Sequence, residues 1–266
     1  MSRNAFLILM ALKLAGRTAL ITGASGEIGR ATAIEFASEG VAAMVLHYNK
    51  SRQRAVEIAR ETEKLGCETS VLKADLSNPN QAKSLVNKTC AKLGGIDILV
   101  CMAGHPFSRR DWFAKFEDTT PEQFTGPITI DLLGNAYVAQ GAIPSMKRRH
   151  GGNIVFVGST LAITGDVVGI SYSIAKAGLL ALTRSLAQYL GPFNIRANAL
   201  ALGSIDTKAT LGHLDARQRK ALRNESSLRR FGKPREVARS IVFLSSDDSA
   251  FMTGQTMVVD GGYAMR

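Results

Sequence analysis

The sequence predicts an α/β fold, a doubly wound parallel sheet covered by helices on both faces. Short runs of β-branched and aliphatic residues alternate with amphipathic stretches along the chain, and no linker or internal repeat interrupts this alternation. With 266 residues, 45% of them hydrophobic and 21% charged, the chain has an ordinary globular composition. It is long enough to bury a full core in a single domain.

Strands and helices alternate in this prediction. The strands are expected at 18–22, 43–47, 69–73, 96–101, 153–158, 195–199 and 256–259. The helices are expected at 28–38, 52–64, 80–93, 130–149, 171–190 and 235–244. Because proline lacks the amide hydrogen that a helix uses, the fourth helix is expected to start or kink near Pro127. Ligands of such sheets bind at the carboxyl ends of the strands, where the strand order reverses.

Composition argues against several classes of protein. Cys67, Cys90 and Cys101 form no Cys-x-x-Cys pair, and the four histidines lack metal-ligand spacing, so we predict neither disulfides nor a metal site. The apolar run at 5–11 is too short to span a bilayer, and no cleavage site follows it before the first strand. We therefore predict a cytoplasmic protein that does not associate with membranes.

A glycine-rich turn follows the first predicted strand and opens the first helix. Main-chain amides of such a turn, together with the helix N-terminus, can hold a pyrophosphate without cationic side chains. This arrangement predicts the dinucleotide site of a Rossmann fold, although a merely flexible strand–helix turn is the alternative. Glu27 places a carboxylate beside the expected phosphate. The predicted contacts are Gly23, Ser25, Gly26, Glu27, Ile28 and Gly29.

The end of the second predicted strand bears on the choice of cofactor. Enzymes that bind NAD place an acidic residue there for the adenosine ribose, whereas this chain has none before Glu57. Lys50 and Arg52 could instead pair with a 2′-phosphate, unless the segment is simply a solvated loop. We therefore predict NADP, with NAD as the alternative. The predicted contacts are His47, Tyr48, Asn49, Lys50 and Arg52.

Tyr172 and Lys176 are four residues apart in a predicted helix, so they lie on one face, one turn from each other. A positive charge at about 4 Å is worth about 4 kcal/mol at an effective dielectric near 20. That interaction would lower the pKa of the phenol well below its ordinary value near 10. The spacing therefore predicts an acidic tyrosine, suited to proton transfer.

Five stretches of this sequence, taken together and in order, resemble the short-chain dehydrogenase/reductase family between Leu14 and Gly262. They are the glycine turn at 22–29, Ala74-Asp75-Leu76, Ala103-Gly104, Ser159 with Tyr172-x-x-x-Lys176, and the tail at 253–262. The pattern is most similar to that of 3-oxoacyl-[acyl-carrier-protein] reductases. The resemblance implies a dinucleotide-binding domain at 14–266, preceded by an extra segment at 1–13.

The resemblance also implies a role for each matching residue. Tyr172 would exchange a proton with the substrate, and Ser159 would form a hydrogen bond with the substrate oxygen. Lys176 would lower the pKa of Tyr172 and bind the nicotinamide ribose. Asp131 stands where the family has an asparagine that helps to hold a water leading to the lysine. It would hold that water, partly neutralise Lys176, or do neither because the helix has shifted. The remaining matches imply cofactor contacts at Asp75, Leu76, Ala103, Gly104, Gly203, Ile205 and Thr207.

The distribution of charged residues does not identify the binding partners of the protein. The net charge is +11, and the segment 208–239 holds ten Lys or Arg against three acids. The segment could be a solvated surface or could attract an anionic substrate, whereas no motif for specific nucleic-acid binding is present. We predict an NADP(H)-dependent oxidoreductase acting on a carbonyl or hydroxyl group, with a 3-oxoacyl thioester or a small sugar, polyol or ketone as substrate. A low-turnover dinucleotide sensor is the alternative. By resemblance we also predict a homotetramer, or secondly a dimer.

Overall fold

A seven-stranded parallel sheet organises the protein, with strand order β3-β2-β1-β4-β5-β6-β7. The structure is a computed structural model that describes residues 12–106, 108–212 and 214–265. The strands are β1 (Thr18–Ile21), β2 (Ala43–Tyr48), β3 (Glu68–Lys73), β4 (Ile98–Cys101), β5 (Gly152–Ser159), β6 (Ile195–Leu202) and β7 (Thr256–Val259). The predicted fold class is confirmed, and the order reverses between β1 and β4.

Helices cover both faces of this sheet. They are α1 (Glu27–Ser38), α2 (Arg52–Glu63), α3 (Pro79–Leu93), α4 (Arg109–Trp112), α5 (Pro121–Pro127), α6 (Asn135–Arg148), α7 (Leu161–Thr164), α8 (Ile170–Leu190), α9 (Lys208–Leu211), α10 (Ala216–Glu225) and α11 (Pro234–Ser245). One hydrophobic core includes Phe36 and Ile241, from α1 and α11. The other includes Val138 and Leu179, from α6 and α8. The inner strands β1, β4 and β5 are buried throughout, as expected for a sheet covered on both faces, whereas no residue of the edge strands β3 and β7 is fully buried.

The predicted fourth helix has a different structure from the one expected. Residues Ile128–Gly134 form a π-helix that runs directly into α6, and α5 precedes it with a capping box between Thr120 and Gln123. The cause includes Pro127, which has no N–H to donate to the carbonyl of Gln123. That carbonyl instead accepts a hydrogen bond from the Ser171 hydroxyl, at 3.2 Å. The predicted disturbance near Pro127 is therefore present, but as a change of helix type.

Strand bounds differ from the prediction by a few residues. β4 begins at Ile98 rather than at residue 96, and the main-chain N–H of Ile96 donates to the Ser145 hydroxyl instead of to a neighbouring strand. β6 extends beyond the predicted end at 199 to Leu202, fully paired with β5. This extension brings the end of β6 level with Ser159.

Two expectations concern the chain beyond this core. Of the predicted extra segment at 1–13, residues 1–11 lie outside the described residues, and the first core residue after it is Leu14. Within the described part of the chain, no helix combines the length and apolar character needed to cross a membrane.

Candidate active site

The glycine turn between β1 and α1 has the geometry of an anion cradle. Gly23 has a φ of +65°, and a Cβ there would lie 2.9 Å from the carbonyl oxygen of Met102, so this position requires glycine. Gly26 is the N-cap residue of α1 and supplies no side-chain hydrogen bond to its first amides. Those amides are therefore open to a phosphate oxygen, and the turn fits a dinucleotide pyrophosphate. Ser25 and Ile28 are half-buried in the same turn.

The Glu27 side chain is bound to the segment that follows β6. One of its carboxylate oxygens accepts a hydrogen bond of 2.6 Å from the main-chain N–H of Lys208, at the first residue of α9. The carboxylate thus joins the glycine turn to the segment after β6. The predicted contact of Glu27 with the cofactor stays a prediction.

The structure corrects the expected role of His47. Its ring is 2% exposed and lies behind the glycine turn. Nδ1 accepts a hydrogen bond from the Gly23 N–H at 3.2 Å, so Nε2 carries the proton and donates to the Ala74 carbonyl oxygen at 3.0 Å. Burial lowers the pKa of His47, which keeps the ring neutral. His47 therefore holds the turn in place, whereas the strand end offers Asn49, Lys50 and Arg52 to a ligand.

The end of β3 supplies an acidic residue near these cations. Asp75 accepts hydrogen bonds from the Ser77 hydroxyl and main-chain N–H, which lower its pKa, and the charge of Lys50 acts in the same direction. Leu76, the next residue, is 3% exposed, and its carbonyl would lie 2.9 Å from a Cβ added at Gly134. Asp75 thus lies near Lys50, which follows β2, and Leu76 packs against Gly134 of the π-helix.

The turn after β4 is fixed by side chains from two other elements. The Thr22 hydroxyl oxygen accepts hydrogen bonds from the main-chain N–H groups of Met102 and Ala103, at 3.0 and 3.1 Å. Asn135 Nδ2 donates to the carbonyl oxygens of Ala103 and Asp131, at 2.9 and 2.8 Å. Asn135 is fully buried and satisfies carbonyls at the junction of the π-helix and α6. Sequence reasoning missed it, because nothing in its local pattern shows that it faces three segments.

Tyr172, Lys176, Ser159 and Asp131 lie together at the carboxyl ends of β4 and β5. Lys176 Nζ is 5.5 Å from the centroid of the Tyr172 ring, 3.0 Å from Asp131 Oδ1 and 3.0 Å from the Val157 carbonyl oxygen, to which it donates. Ser159, at the end of β5, is close enough for its hydroxyl to interact with the Tyr172 phenol. The structure therefore brings together all four residues predicted for catalysis.

Asp131 accepts from two donors at once. Oδ1 contacts the Lys176 ammonium, and Oδ2 accepts a hydrogen bond of 2.7 Å from the main-chain N–H of His105. A Cβ at Gly104 would lie 3.0 Å from Oδ1, so glycine gives the carboxylate its room. The direct ion pair, 1% exposed at Asp131 and 5% at Lys176, favours the interpretation that Asp131 partly neutralises the lysine.

This environment overturns the prediction of an acidic tyrosine. Burial is the largest effect on the Tyr172 phenol and raises its pKa above the ordinary value. The positive charge of Lys176 and the Ser159 hydroxyl lower that pKa, but the negative charge of Asp131 raises it again, and the balance stays upward. For Lys176, burial favours the neutral amine, yet Asp131 and Tyr172 outweigh it and raise the pKa. At neutral pH the site therefore holds a protonated phenol beside an ion pair.

The segment after β6 forms the far side of the site. A Cβ at Gly203 would lie 2.6 Å from Cβ of Asp260, so the chain turns tightly there. Ile205 is 4% exposed and packs into the core, whereas the Thr207 hydroxyl caps α9 by accepting from the Thr210 N–H at 3.2 Å. The predicted cofactor contacts of Ile205 and Thr207 stay predictions.

Many charges of the basic segment 208–239 are paired locally. Arg230 pairs with Glu236 at 2.7 Å, and Arg235 pairs with Glu35 of α1. Arg219 donates to the carbonyl oxygens of Leu211 and Leu214. These contacts indicate that part of the basic segment stabilises the fold and is not free to bind an anionic substrate.

Comparison with known proteins places the chain in a family. Residues 23–264 match the family described as enoyl-(acyl carrier protein) reductase. The chain is similar to the 7α-hydroxysteroid dehydrogenase of Bacteroides fragilis, with 37% identity over 91% of this chain and 92% of that protein. It is similar to a 3-oxoacyl-[acyl-carrier-protein] reductase of Thermotoga maritima, with 36% identity over 94% and 99% of the two chains. It is also similar to an L-rhamnose 1-dehydrogenase (NAD(P)(+)) of Sphingomonas sp., with 36% identity over 94% and 96%.

A solved structure agrees with these sequence relatives. A short-chain type dehydrogenase/reductase from Mycobacterium marinum superposes with a TM-score of 0.87 and 29% identity, covering 97% of this chain and 100% of that one. The chain therefore belongs to the short-chain dehydrogenase/reductase family and is an NAD(P)-dependent oxidoreductase. The predicted likeness to 3-oxoacyl-[acyl-carrier-protein] reductases is confirmed.

Proposed function

We propose that this oxidoreductase works as an NADPH-dependent carbonyl reductase, with Tyr172 as proton donor. The observation that carries this proposal is the meeting of Tyr172, Lys176 and Ser159 at the carboxyl ends of β4 and β5, with Lys176 Nζ 5.5 Å from the centroid of the Tyr172 ring. The raised pKa of the Tyr172 phenol agrees with it. A phenol that keeps its proton at neutral pH suits reduction, because the carbonyl oxygen must gain a proton, whereas oxidation of an alcohol needs a phenolate.

The roles of the other residues follow from their positions. A bound nicotinamide cofactor supplies a hydride to the carbonyl carbon. Tyr172 donates its proton to the carbonyl oxygen, and the Ser159 hydroxyl hydrogen-bonds the same oxygen. Lys176 stabilises the phenolate that remains, and Asp131 keeps the lysine charged. The glycine turn would hold the pyrophosphate on its main-chain amides.

The test of this proposal is NADPH consumption with a panel of ketones and 3-oxoacyl thioesters, compared with NADP⁺ reduction by the matching alcohols. We expect reduction to be the faster direction at neutral pH and oxidation to gain only at alkaline pH. An enzyme that oxidises alcohols at neutral pH faster than it reduces the ketones would contradict the assignment. A 3-oxoacyl thioester remains our first substrate candidate by similarity to the Thermotoga maritima relative. A sugar or polyol is the second.

The cofactor preference is expected to depend on Lys50 and Arg52. Both side chains are exposed at the end of β2 and the start of α2, and an NADP 2′-phosphate would gain charge-assisted contacts from them. We predict that changing both to alanine raises KM for NADPH by about tenfold, with little change for NADH. Salt should weaken the preference of the unmodified protein. Steady-state kinetics with both cofactors measures this, and Arg54→Ala, an exposed cation of α2, is the control.

A His47→Asp exchange is a poor test of that preference. The new carboxylate would be buried facing the Ala74 carbonyl, and the turn would be damaged as well. If the unmodified protein uses NADH with a kcat/KM equal to or better than that for NADPH, the NADP assignment is wrong.

We also propose that the protein assembles as a homotetramer in the cytoplasm, with a dimer as the second choice. Leu133 of the π-helix and Ile174 and Tyr189 of α8 are exposed large apolar residues, and covering them would stabilise an assembly. The cysteines Cys67, Cys90 and Cys101 are all free, which suits a reducing compartment. We predict that light scattering at micromolar concentration gives four times the chain mass of 28.5 kDa. A monomer mass would contradict both assemblies.

A further inference from the structure

A tryptophan lies directly beside the proposed proton donor. The rings of Trp112 and Tyr172 have centroids 5.3 Å apart and are tilted by 54°. Trp112 ends α4, in the segment between β4 and the π-helix, and its side chain is half-buried. It thus forms one wall of the space next to the phenol.

Gly169 fixes the position of this ring. The Gly169 N–H donates a hydrogen bond of 2.8 Å to the Trp112 carbonyl oxygen. Gly169 has a φ of +60°, and a Cβ there would lie only 2.9 to 3.1 Å from three atoms of the indole. The indole therefore packs against the bare Cα of Gly169, one residue before α8 begins. Any larger residue would push the ring away or strain the backbone.

The rest of the segment is tied to the same helix. Gln123 Nε2 donates to Asp111 Oδ1 at 2.7 Å, and Asp111 is the neighbour of Trp112 in the chain. The Gln123 carbonyl oxygen accepts from the Ser171 hydroxyl at 3.2 Å, at the start of α8. Trp112 is thus connected to the helix that carries Tyr172 both through Gly169 and through Gln123. A wall held in this way is pre-formed for binding.

Two exposed apolar side chains are close to Trp112 or Gly169 in the chain, and the Arg109 guanidinium lies over one of them, 5.2 Å from the centroid of the Phe113 ring. Phe113 follows Trp112 in the chain and is 43% exposed, and Val167, two residues before Gly169, is 87% exposed. Aromatic faces carry negative partial charge and disfavour anions, whereas they gain from covering C–H groups. Apart from the indole N–H, the side chains of Trp112, Phe113 and Val167 carry no hydrogen-bonding group, so a charged or hydroxyl-rich group would lose most of its hydration against them without replacement.

We propose that Trp112 is a specificity-determining residue, which packs against an uncharged, carbon-rich substituent on the reacting carbon of the substrate. This inference rests on the proposed function and narrows its substrate class to ketones with a ring or alkyl substituent, in preference to polyols. The two probes are trans-1-decalone, which is carbon-rich, and dihydroxyacetone, which is hydroxyl-rich.

The first test uses the fact that Trp112 is the single tryptophan of the chain. In the unmodified protein saturated with NADP⁺, a ketone can bind without reacting, so tryptophan emission reports its arrival beside Trp112. We expect decalone to change the emission saturably, and dihydroxyacetone at equal concentration to leave it unchanged. Gly169→Ala should alter the emission before any ketone is added, because the ring is displaced.

The second test is a kinetic ratio. We expect Trp112→Ala to lower kcat/KM for decalone relative to dihydroxyacetone by about tenfold, and Trp112→Phe to lower it less, because part of the aromatic wall is kept. The control is Phe193→Ala, a half-exposed aromatic residue just before β6, at the amino-terminal edge of the sheet and therefore opposite the site. Melting temperatures of all variants separate a lost contact from a lost fold, and Trp112→Phe serves if the alanine variant does not fold.

The outcomes separate this inference from the proposed function. If decalone is reduced but the emission and the ratio stay unchanged, Trp112 is not the wall and the inference fails. If no ketone is reduced but decalone still changes the emission saturably, Trp112 lines a binding surface for carbon-rich molecules, whereas the carbonyl-reductase proposal fails and with it the role of Trp112 in substrate choice. If decalone is neither reduced nor detected by the emission, both are overturned.

Discussion

Replacing Tyr172 by phenylalanine is expected to lower kcat for ketone reduction by about a thousandfold, within the range that a positioned general acid contributes. The affinity for NADPH should change by less than about threefold, equivalent to well under 1 kcal/mol. The variant removes the hydroxyl that would donate the proton but keeps the ring. The 5.3 Å contact with Trp112 and the neighbouring Lys176–Asp131 ion pair should therefore persist.

Single-turnover reduction and NADPH titration measure the two effects separately. The matched control is Tyr189→Phe, which makes the same change in an exposed tyrosine at the far end of α8. That variant should keep the activity of the unmodified protein. A Tyr172→Phe enzyme that retained more than a few per cent of kcat, which a lost general acid does not allow, would exclude Tyr172 as the proton donor.

Asp131→Asn is expected to move the alkaline limb of the reductive pH profile to lower pH. The negative charge of Asp131 raises the pKa of Tyr172, so its removal lets Lys176 lower that pKa further. Reduction needs the protonated phenol and is lost as the pH rises through its pKa. The loss must therefore begin at lower pH in the variant. Oxidation, which needs the phenolate, should gain activity at lower pH by the same amount.

The Asp131→Asn variant also has a structural consequence. Asparagine offers one acceptor oxygen, whereas Asp131 serves both Lys176 and the His105 N–H. One buried donor is then left unsatisfied, which we expect to cost about 1 to 3 kcal/mol of unfolding free energy. Asp247→Asn, at an exposed ion pair with Arg17, is the control and should move neither quantity. Superimposable profiles of kcat against pH would show that Asp131 is not coupled to Tyr172.

The alternating strand and helix patterns were sufficient to predict the fold, whereas the meeting of the four proposed catalytic residues was implied by the family resemblance. The alternation of strand and helix patterns predicts a parallel sheet, and in a parallel sheet the carboxyl ends of all strands lie at one edge. Residues at the ends of different strands, such as Ser159 at the end of β5 and the glycine turn after β1, thus lie along the same edge. The sequence motif around each of these residues is short, but the order of the strands in the sheet places the motifs next to one another.

The protonation state of Tyr172 could not be predicted from spacing. Four residues along a helix place Lys176 near the phenol, but burial and the charge of Asp131 act in the opposite direction and prevail. Neither the burial of the phenol nor its distance from Asp131, which is 41 positions earlier in the chain, can be read from the local sequence. The predicted role of His47 was wrong for a related reason. The strand pattern does not show which side chain accepts the hydrogen bond from the Gly23 N–H of the glycine turn.

Asn135 and Trp112 were missed because their importance lies in contacts between segments. Asn135 sits at the point where a π-helix becomes an α-helix, and its amide bonds Ala103, which is 32 positions away. Trp112 lies in a four-residue helix, which is too short to give a periodic pattern in the sequence. Its ring contacts Tyr172 because Gly169 has no side chain in the space that the indole occupies. π-helical segments are rare and occur often at functional sites, yet they have no simple sequence pattern.

The central claim is that this chain transfers a hydride between a nicotinamide cofactor and a carbonyl carbon. The most direct measurement uses NADPH deuterated at the transferring position of the nicotinamide, with decalone and a 3-oxoacyl thioester as acceptors, followed by mass spectrometry of the alcohol. Our account predicts one deuterium on the former carbonyl carbon of the product, with label transfer at least about a hundredfold slower in the Tyr172→Phe protein. Saturable NADPH binding without any labelled alcohol from either acceptor would contradict it and would favour a dinucleotide sensor.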